Sequence, residues 1–387
     1  MKLKYIIILI ALVLGVSASG FYVWKSFHSS NTLVKQQGSE NSFEDYYKTA
    51  QDLKKDQTQT TEINFLAVGD IMLSRNVAGT MAKNNKDAYF PFRNLEDELH
   101  ATDFNFGNLE SPFSGTDTYN PTGSLVFNAP TWTMPGLSQY NFKVLNLANN
   151  HAMDQGESGI LYTKKLLADN SLIGIGTGKN LDEAWQGGVY NAKGLRIGFV
   201  GASFSSLNDG GKVKDNYVAR IEDTARLKAT ITDLKKKSDF VVATMHAGTE
   251  YTRTPNASQI AFAHAAIEDG ADIVIGAHPH WAQTFEKYKG KYIFYSLGNF
   301  VFDQEWSQET KEGMTLKITL DKVGACVQQG NSACVSDVQG NSTGATLKQI
   351  ELIPVILENY STPRLANETE KAAILKKIGA TTSVITP

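Results

Sequence analysis

The chain has 387 residues, a formal net charge of −3, a hydrophobic fraction of 42% and a charged fraction of 20%. This length is enough for one large α/β domain or two ordinary ones with a substantial core. The nearly balanced charge gives no electrostatic reason to expect a nucleic-acid partner, so we exclude that class of function.

The first 24 residues predict an N-terminal transmembrane helix that anchors the protein. Lys2 and Lys4 precede about twenty uncharged residues, positions 5–24, which is a length that can span a bilayer. By the positive-inside rule the two lysines stay in the cytoplasm, and the rest of the chain lies outside the cell. A cleaved signal peptide is the alternative, because positions 16–18 carry the small residues of a cleavage site. The aromatic residues at the end of the run favour the uncleaved anchor.

The rest of the chain divides into three parts. Residues 25–61 are polar and charged, and they predict a spacer between the membrane and the domain. Residues 62–360 are expected to form the folded domain, and residues 361–387 a C-terminal tail with a helical pattern from Glu368 to Ile378. Cys326 and Cys334 predict one disulfide in a glycine-rich loop of an exported protein, with free thiols as the alternative.

Apolar runs of strand length alternate with amphipathic helical patterns through the domain. The first strand begins at Ile63, in INFLAVG. Further strands are predicted at Phe104 to Leu109, Phe142 to Leu147, Leu195 to Gly201, Phe240 to Met245, Ile273 to Ile275, Tyr292 to Tyr295, Met314 to Leu320 and Thr346 to Leu357. Helices are predicted at Ser158 to Asp169, Glu222 to Lys237 and Ala257 to Asp269. This alternation predicts an α/β fold with helices on both faces and some antiparallel pairing late in the chain.

Polar side chains follow the first two strands, at the positions where open α/β sheets place their ligands. Asp70 comes directly after Gly69 and is either a metal ligand or the cap of a following helix. Asn108 and Glu110 lie two residues apart and suit a metal or an amide-like or sugar-like substrate. Because alternate residues of a strand face opposite ways, we expect one of the two to be a ligand.

The third strand runs into the most informative cluster of polar residues. Asn149, Asn150 and His151 follow it directly, and Asp154 comes three residues later. Amide, imidazole and carboxylate groups gathered within six residues of a strand end predict a functional site rather than a solvated loop. His246 ends a later strand and is either a ligand or a hydrogen-bonded core residue.

Two more motifs complete the series. His278 and His280 stand one residue apart in GAHPH, where they present two imidazoles to one cation or divide them between two. Ser296 and Asn299, in YSLGNF, either bind substrate or brace the ligands. The ordered series of strand ends predicts a two-metal, phosphoesterase-like site whose mixed ligands suit Zn, Mn or Fe.

The motifs GDIML, NLE, NNHAMDQG, GAHPH and YSLGNF occur in this order with His246, over roughly residues 63–305. Together they resemble the CapA family, the poly-γ-glutamate capsule biosynthesis proteins of bacteria. The resemblance implies a four-layer α/β/β/α sandwich like that of the calcineurin-like metallophosphoesterases. It also implies a membrane-attached protein whose main domain is extracellular. The expected partners are poly-γ-glutamate as substrate or cargo, the membrane, and membrane-bound synthetase subunits.

The resemblance also implies roles for individual residues. The ligands that it implies are Asn150, His246, His278 and His280. His151 is implied as the general acid, and we assign Asp154 to catalysis with it. We add Asp70 and Glu110 to the ligand set, and we assign to substrate binding Asn108, Asn149, Ser296 and Asn299.

Two positions depart from the metallophosphoesterase pattern. Met72 stands where the first motif would have a histidine, and Asn108 stands where an aspartate would bridge the two metals. The site therefore holds one divalent ion, or two with Glu110 as a shifted bridge.

The expected activity is metal-dependent hydrolysis of a phosphoester or an amide in the cell envelope, with poly-γ-glutamate as the substrate. A non-catalytic subunit for polymer export or retention is the second interpretation, motivated by Met72 and the anchor. A general envelope phosphoesterase is the third.

Overall fold

A computed structural model describes residues 61–204, 216–322 and 344–387, which fold into two β-sheets and their covering helices. The predicted anchor, the predicted spacer up to residue 60, and both cysteines lie outside these ranges. Within the described ranges, no helix has the length and apolar character needed to cross a membrane.

The larger sheet has nine strands within the described residues. They are β1 (Thr61–Ile71), β2 (Phe104–Leu109), β3 (Phe142–Asn146), β4 (Ile173–Ile175), β11 (Asn299–Val301), β12 (Glu312–Lys322), β13 (Ala345–Glu358), β14 (Thr362–Leu365) and β15 (Val384–Ile385). Their order is β14-β13-β12-β1-β2-β3-β4, with β11 also beside β1 and β15 beside β13. Strands β1 to β4 and β11 are parallel to their neighbours in this set, and the pairings from β12 onward are antiparallel.

The smaller sheet contains six strands of the described chain. They are β5 (Gly188–Ala192), β6 (Leu195–Ser203), β7 (Phe240–His246), β8 (Ile273–Ala277), β9 (Phe285–Tyr288) and β10 (Lys291–Phe294), in the order β5-β6-β7-β8-β10-β9. Strands β6, β7, β8 and β10 run parallel. Every residue of β7 is buried, which explains why this strand is a continuous apolar run rather than an alternating one.

The described residues contain nine helices, which pack against the two sheets. They are α1 (Arg75–Lys83), α2 (Glu96–His100), α3 (Met134–Gln139), α4 (Gly156–Asp169), α5 (Leu181–Ala184), α6 (Thr224–Lys237), α7 (Ala257–Glu268), α8 (Gln308–Lys311) and α9 (Glu368–Lys377), with 3-10 turns at Phe90–Leu95 and Thr131–Thr133. Capping boxes begin α7 at Asn256 and α9 at Asn367. Each such cap contributes on the order of 1 kcal/mol to helix stability.

Three apolar clusters hold the layers together. One lies between the two sheets, where Phe106 of β2 stacks on Phe199 of β6 with ring centroids 5.4 Å apart. A second joins the larger sheet to α1, α3 and α4, and a third joins the smaller sheet to α6 and α7. The layers therefore run helix, sheet, sheet, helix.

Most predicted elements are confirmed to within a few residues. Strand β2 occupies the predicted range Phe104–Leu109, and α4, α6 and α7 match the three predicted helices. Helix α1 was not predicted. The residues after 360 add β14 and β15 to the larger sheet, and Ile374 and Ile378 enter the cluster between the sheets. This segment is thus part of the domain, because both of its strands pair with β13 and its helix α9 contributes to the core between the sheets.

Candidate metal centre

The candidate site lies where the carboxyl ends of parallel strands from both sheets meet. Asp70 is the second-to-last residue of β1, and Glu110 directly follows β2. His246 is the last residue of β7, while His278 and His280 follow β8. This is the edge at which α/β sheets bind their ligands, and it explains why residues so distant in sequence converge.

Close backbone packing and local strain shape the site. Gly69 lies so near the turn at Gly298 that a Cβ atom would fall 1.8 Å from the Gly298 carbonyl oxygen. The next amide, that of Asp70, donates to the same oxygen at 3.0 Å. His278 and His280 have φ angles of 101° and 57°, in the left-handed region that non-glycine residues seldom adopt. Such conformations cost about 1–3 kcal/mol each and persist only where the surrounding structure holds them.

Asp70, Glu110 and His280 form the first group of donor atoms. One donor atom from each lies within 4.8 Å of the others, and all three side chains are buried. Neither carboxylate oxygen of Glu110 has a hydrogen-bond partner among the residues that the structure describes. An unpartnered buried carboxylate is costly, and a divalent cation would satisfy both oxygens. The residues therefore fit a metal at this position.

A second group of donor atoms surrounds His246. Its Nε2 lies 2.7 Å from Asn150 Oδ1 and 3.1 Å from Nδ1 of His278. Asn108 stands between the two groups: its Nδ2 donates to Asp70 Oδ1 at 2.8 Å and lies 3.0 Å from Nδ1 of His246. The structure thus brings all six predicted ligands into one buried cluster.

Burial controls the protonation of this cluster. It raises the pKa of Asp70 to about 7, although hydrogen bonds from Asn108 and from the His278 amide oppose the shift. Burial, followed by the charge of Asp70, raises the pKa of Glu110 well above its ordinary value. Burial also lowers the pKa of His246 well below its ordinary value and that of His280 to about 3. Neutral imidazoles keep a lone pair for a cation, and mixed nitrogen and oxygen donors suit Zn, Mn or Fe.

Asn299 orients His280. Its Nδ2 donates to the Thr310 carbonyl at 2.9 Å and to Gln304 Oε1 at 3.2 Å, so its Oδ1 must be the atom 2.9 Å from His280 Nδ1. His280 therefore carries its proton on Nδ1, and Nε2 keeps the lone pair. Such partners fix the tautomer and plane of a ligating histidine. Asn299 was predicted either to bind substrate or to brace the ligands, and its contact with His280 is of the second kind.

His151 and Asp154, the predicted catalytic pair, lie at the edge of this cluster. Asp154 Oδ2 is 2.7 Å from Nδ1 of His151, and it also accepts from the Phe127 amide at 2.5 Å. His151 Nε2 is 3.7 Å from Glu110 Oε1. The ring of Phe127 stacks on His151 with centroids 3.7 Å apart. The arrangement leaves Nε2 directed to the metal position, with the other nitrogen held by a carboxylate.

Two residues assigned to substrate binding use their polar groups inside the fold. Asn149 donates to the Leu109 carbonyl at 2.8 Å and accepts from the His151 amide at 3.1 Å. Ser296 accepts from the Gly298 amide at 3.1 Å. Both side chains are buried, where polar groups need such partners. These hydrogen bonds lie in the loops that carry the candidate ligands, and substrate binding by the two residues stays a prediction.

One further residue at the site, Asn146, was not identified from the sequence. Asn146 donates to Asn108 Oδ1 at 2.8 Å and so fixes the orientation of that amide. The sequence feature that could have identified Asn146 is its position as a polar residue inside the apolar run VLNLA. Met72 lies in the apolar cluster beneath the larger sheet, and its sulfur accepts from the Ser74 amide at 3.1 Å. Met72 is therefore a buried core side chain, and its sulfur already accepts a hydrogen bond.

Comparison with known proteins finds a family and relatives that are described as capsule or PGA synthesis proteins. The profile of a family described as "Bacterial capsule synthesis protein PGA_cap" matches residues 64–304. The chain is 32% identical to the capsule biosynthesis protein CapA of Bacillus anthracis over 280 residues, which are 70% of this chain and 66% of that protein. It is 34% identical to the PGA biosynthesis protein CapA of Bacillus subtilis over 259 residues, 66% of this chain and 67% of that protein. The match thus spans about two thirds of each relative.

Solved structures resemble the chain at a coarser level. A phosphatase from Mycoplasma pneumoniae aligns with 81% of this chain and 98% of its own, with a TM-score of 0.45 and 13% identity. The calcineurin-like phosphoesterase YfkN from Bacillus subtilis aligns with 82% of this chain and 97% of its own, with a TM-score of 0.42 and 12% identity.

Proposed function

Because the chain belongs to the bacterial capsule synthesis protein family, we propose that its domain is a metal-dependent hydrolase acting in the synthesis or export of a capsule polymer. The observation that carries the proposal is Glu110, a fully buried carboxylate without a hydrogen-bond partner among the described residues. It lies beside Asp70 and His280 in a cluster of neutral imidazoles. Burial of such a carboxylate lowers the stability of the folded protein unless a cation binds there.

Each side chain has a part in the proposed chemistry. Asp70, Glu110 and His280 would hold one divalent ion, and Asn150, His246 and His278 would hold a second position or complete the first. A metal held by these residues would supply an activated water near neutral pH and polarise the scissile group. His151 donates a proton from Nε2 to the leaving group, while Asp154 keeps Nδ1 protonated and the ring in place.

The proposed substrate is an anionic envelope polymer, poly-γ-glutamate, with a phosphoester as the alternative target of the same site. The names of the relatives, which refer to capsule and PGA biosynthesis, support a role with this polymer. We further propose a metallophosphoesterase-like mechanism, an uncleaved membrane anchor at residues 1–24, an extracellular domain, and membrane-bound synthetase subunits as partners.

Metal analysis of the purified full-length chain tests this function. The wild type should retain about one or two equivalents of Mn²⁺ or Zn²⁺ after loading and desalting, whereas a His278→Ala/His280→Ala double variant should retain almost none. His264→Ala is the control, because His264 bonds to Glu286 outside the site. Absence of metal from a folded wild type would exclude the metalloenzyme. Chromogenic phosphate esters and γ-glutamyl anilides then separate phosphoester from amide hydrolysis.

A non-catalytic role in polymer export is the second candidate. The orientation of Asn108 favours it, because an amide N–H rather than an oxygen points to Asp70 at the centre of the cluster. In that case His151→Ala should leave polymer export in cells unchanged. Export that falls with this variant would support the enzyme instead.

A further inference from the structure

Arg75 is a buried cation beside the site for which neither the motifs nor the proposed chemistry gives a role. It opens helix α1 with a φ of 45°, in the left-handed region, and its side chain is only 11% exposed. A strained backbone and a buried guanidinium together are costly, so this position depends on specific compensating contacts.

Polar contacts of Arg75 join three segments of the chain. Nε donates to Asp303 Oδ2 at 3.2 Å, and Nη2 bonds to the other oxygen of the same carboxylate. Nη1 donates to the Ser124 carbonyl at 3.0 Å. The ion pair is bidentate and nearly dry, since the Asp303 side chain is 2% exposed. Its planar geometry fixes the guanidinium in a way that a lysine ammonium cannot.

The same guanidinium covers two phenyl rings that back two histidines of the site. It lies 4.6 Å from the Phe127 centroid and 5.7 Å from that of Phe302. Phe127 in turn stacks on His151, and Phe302 meets His280 at 4.8 Å in an edge-to-face contact. The Arg75 guanidinium therefore contacts both phenyl rings. One ring packs against the proposed acid, His151, and the other against the proposed ligand His280.

We propose that Arg75 is a positioning residue that fixes the ring planes of His151 and His280 through Phe127 and Phe302. The polar partners of the histidines, Asp154 and Asn299, fix one nitrogen of each ring but leave rotation about that hydrogen bond. The stacked ring of Phe127 and the edge-to-face ring of Phe302 remove this freedom, and Arg75 holds both phenyl rings in one rigid unit. The proposal rests on the proposed function, because it concerns the alignment of the acid with the metal position.

The test compares Arg75→Lys with a matched control, Arg196→Lys. Arg196 also makes a bidentate pair, with Asp239, but at the start of β6, at the opposite end of the smaller sheet. In the Zn²⁺-loaded full-length protein, kcat for a chromogenic phosphate ester should fall about 10- to 100-fold in Arg75→Lys, since misplacement of about 1 Å has effects of this size. KM should change less than about threefold, and Zn²⁺ affinity should weaken by no more than about tenfold. Arg196→Lys should match the wild type.

A second readout, independent of turnover, is the NMR spectrum of isotope-labelled histidine rings. The resonances of His151 and His280 should move in Arg75→Lys, and those of His264 should not. If the wild type shows no turnover, the proposed function fails while the ring resonances still decide the role of Arg75. Unmoved resonances, or a lower Tm with unchanged kcat per folded molecule, would overturn the proposal.

A second variant keeps the test valid if Arg75→Lys does not fold. Phe127→Leu leaves the pair between Arg75 and Asp303 in place and removes only the ring that stacks on His151. It should reproduce the loss of kcat and the shift of the His151 resonances without moving those of His280. Wild-type kcat and resonances in this variant would refute the positioning role.

Discussion

Substitution of Glu110 by glutamine separates metal binding from folding. Glutamine keeps the size of the side chain but removes a carboxyl group that can ionise and bind a cation beside Asp70 and His280. Because Glu110 has no hydrogen-bond partner among the described residues, the change breaks no side-chain hydrogen bond with any of them. We therefore expect metal-free Glu110→Gln to be at least as stable as the metal-free wild type, and to bind a divalent cation much more weakly.

The size of the effect follows from mass action. A cation present at 100 times its Kd stabilises the folded state by about 2.7 kcal/mol. For a domain of this size we expect a rise in Tm of about 5 °C. If loss of the carboxylate weakens binding about 10- to 100-fold, the same concentration stabilises the variant by only about 1.4 to 0.4 kcal/mol. The rise in Tm should then be at most about half that of the wild type.

Differential scanning fluorimetry across a Mn²⁺ or Zn²⁺ titration measures both quantities. Glu222→Gln is the matched control, because Glu222 is exposed at the surface. It should behave as the wild type with and without metal. Equal metal-dependent shifts in wild type and Glu110→Gln would refute the assignment of Glu110 as a ligand. A large loss of metal-free stability in Glu110→Gln would contradict the reading of this carboxylate as an unpartnered group.

Three further substitutions test other parts of the site. His151→Gln should lower kcat at least about 100-fold with little change in metal content, as expected for loss of a general acid; equal turnover would exclude that role. Asn299→Ala should weaken metal binding about 10- to 100-fold by releasing the His280 ring, and calorimetric titration showing wild-type affinity would contradict this. Gly69→Ala should destabilise the fold by at least about 1–3 kcal/mol in urea unfolding, because its Cβ would overlap a carbonyl oxygen. Gly79→Ala, in an open helical position, is the control and should be neutral or stabilising by about 0.5–1 kcal/mol.

Much of the fold was predictable because its signals are local. Strands such as β2 and β7 are apolar runs of strand length, and helices such as α6 show their period within two or three turns. The weaker elements were missed for the same reason. Strands β14 and β15 are only four and two residues long, and they exist through pairing with β13.

Candidate ligands could be predicted because each lies at the end of a strand or shortly after it. Parallel strands bring their carboxyl ends to one edge, so the sequence predicts that Asp70, Glu110, His246 and His280 meet there. The separate roles of the neighbouring asparagine side chains could not be predicted. Asn108, Asn149 and Asn299 differ only in the partners that surround them, and those partners come from elsewhere in the chain.

The amino-acid sequence by itself determined the order of the strands' polar ends and the chemical types gathered there, because both depend on short-range pattern and residue identity. Only the tertiary structure decided which side chains face the metal position and which hold them in place. The pair between Arg75 and Asp303, 228 positions apart, is the extreme case. No local pattern marks two such residues as neighbours, since their contact depends on the pairing of β11 with β1 in the larger sheet.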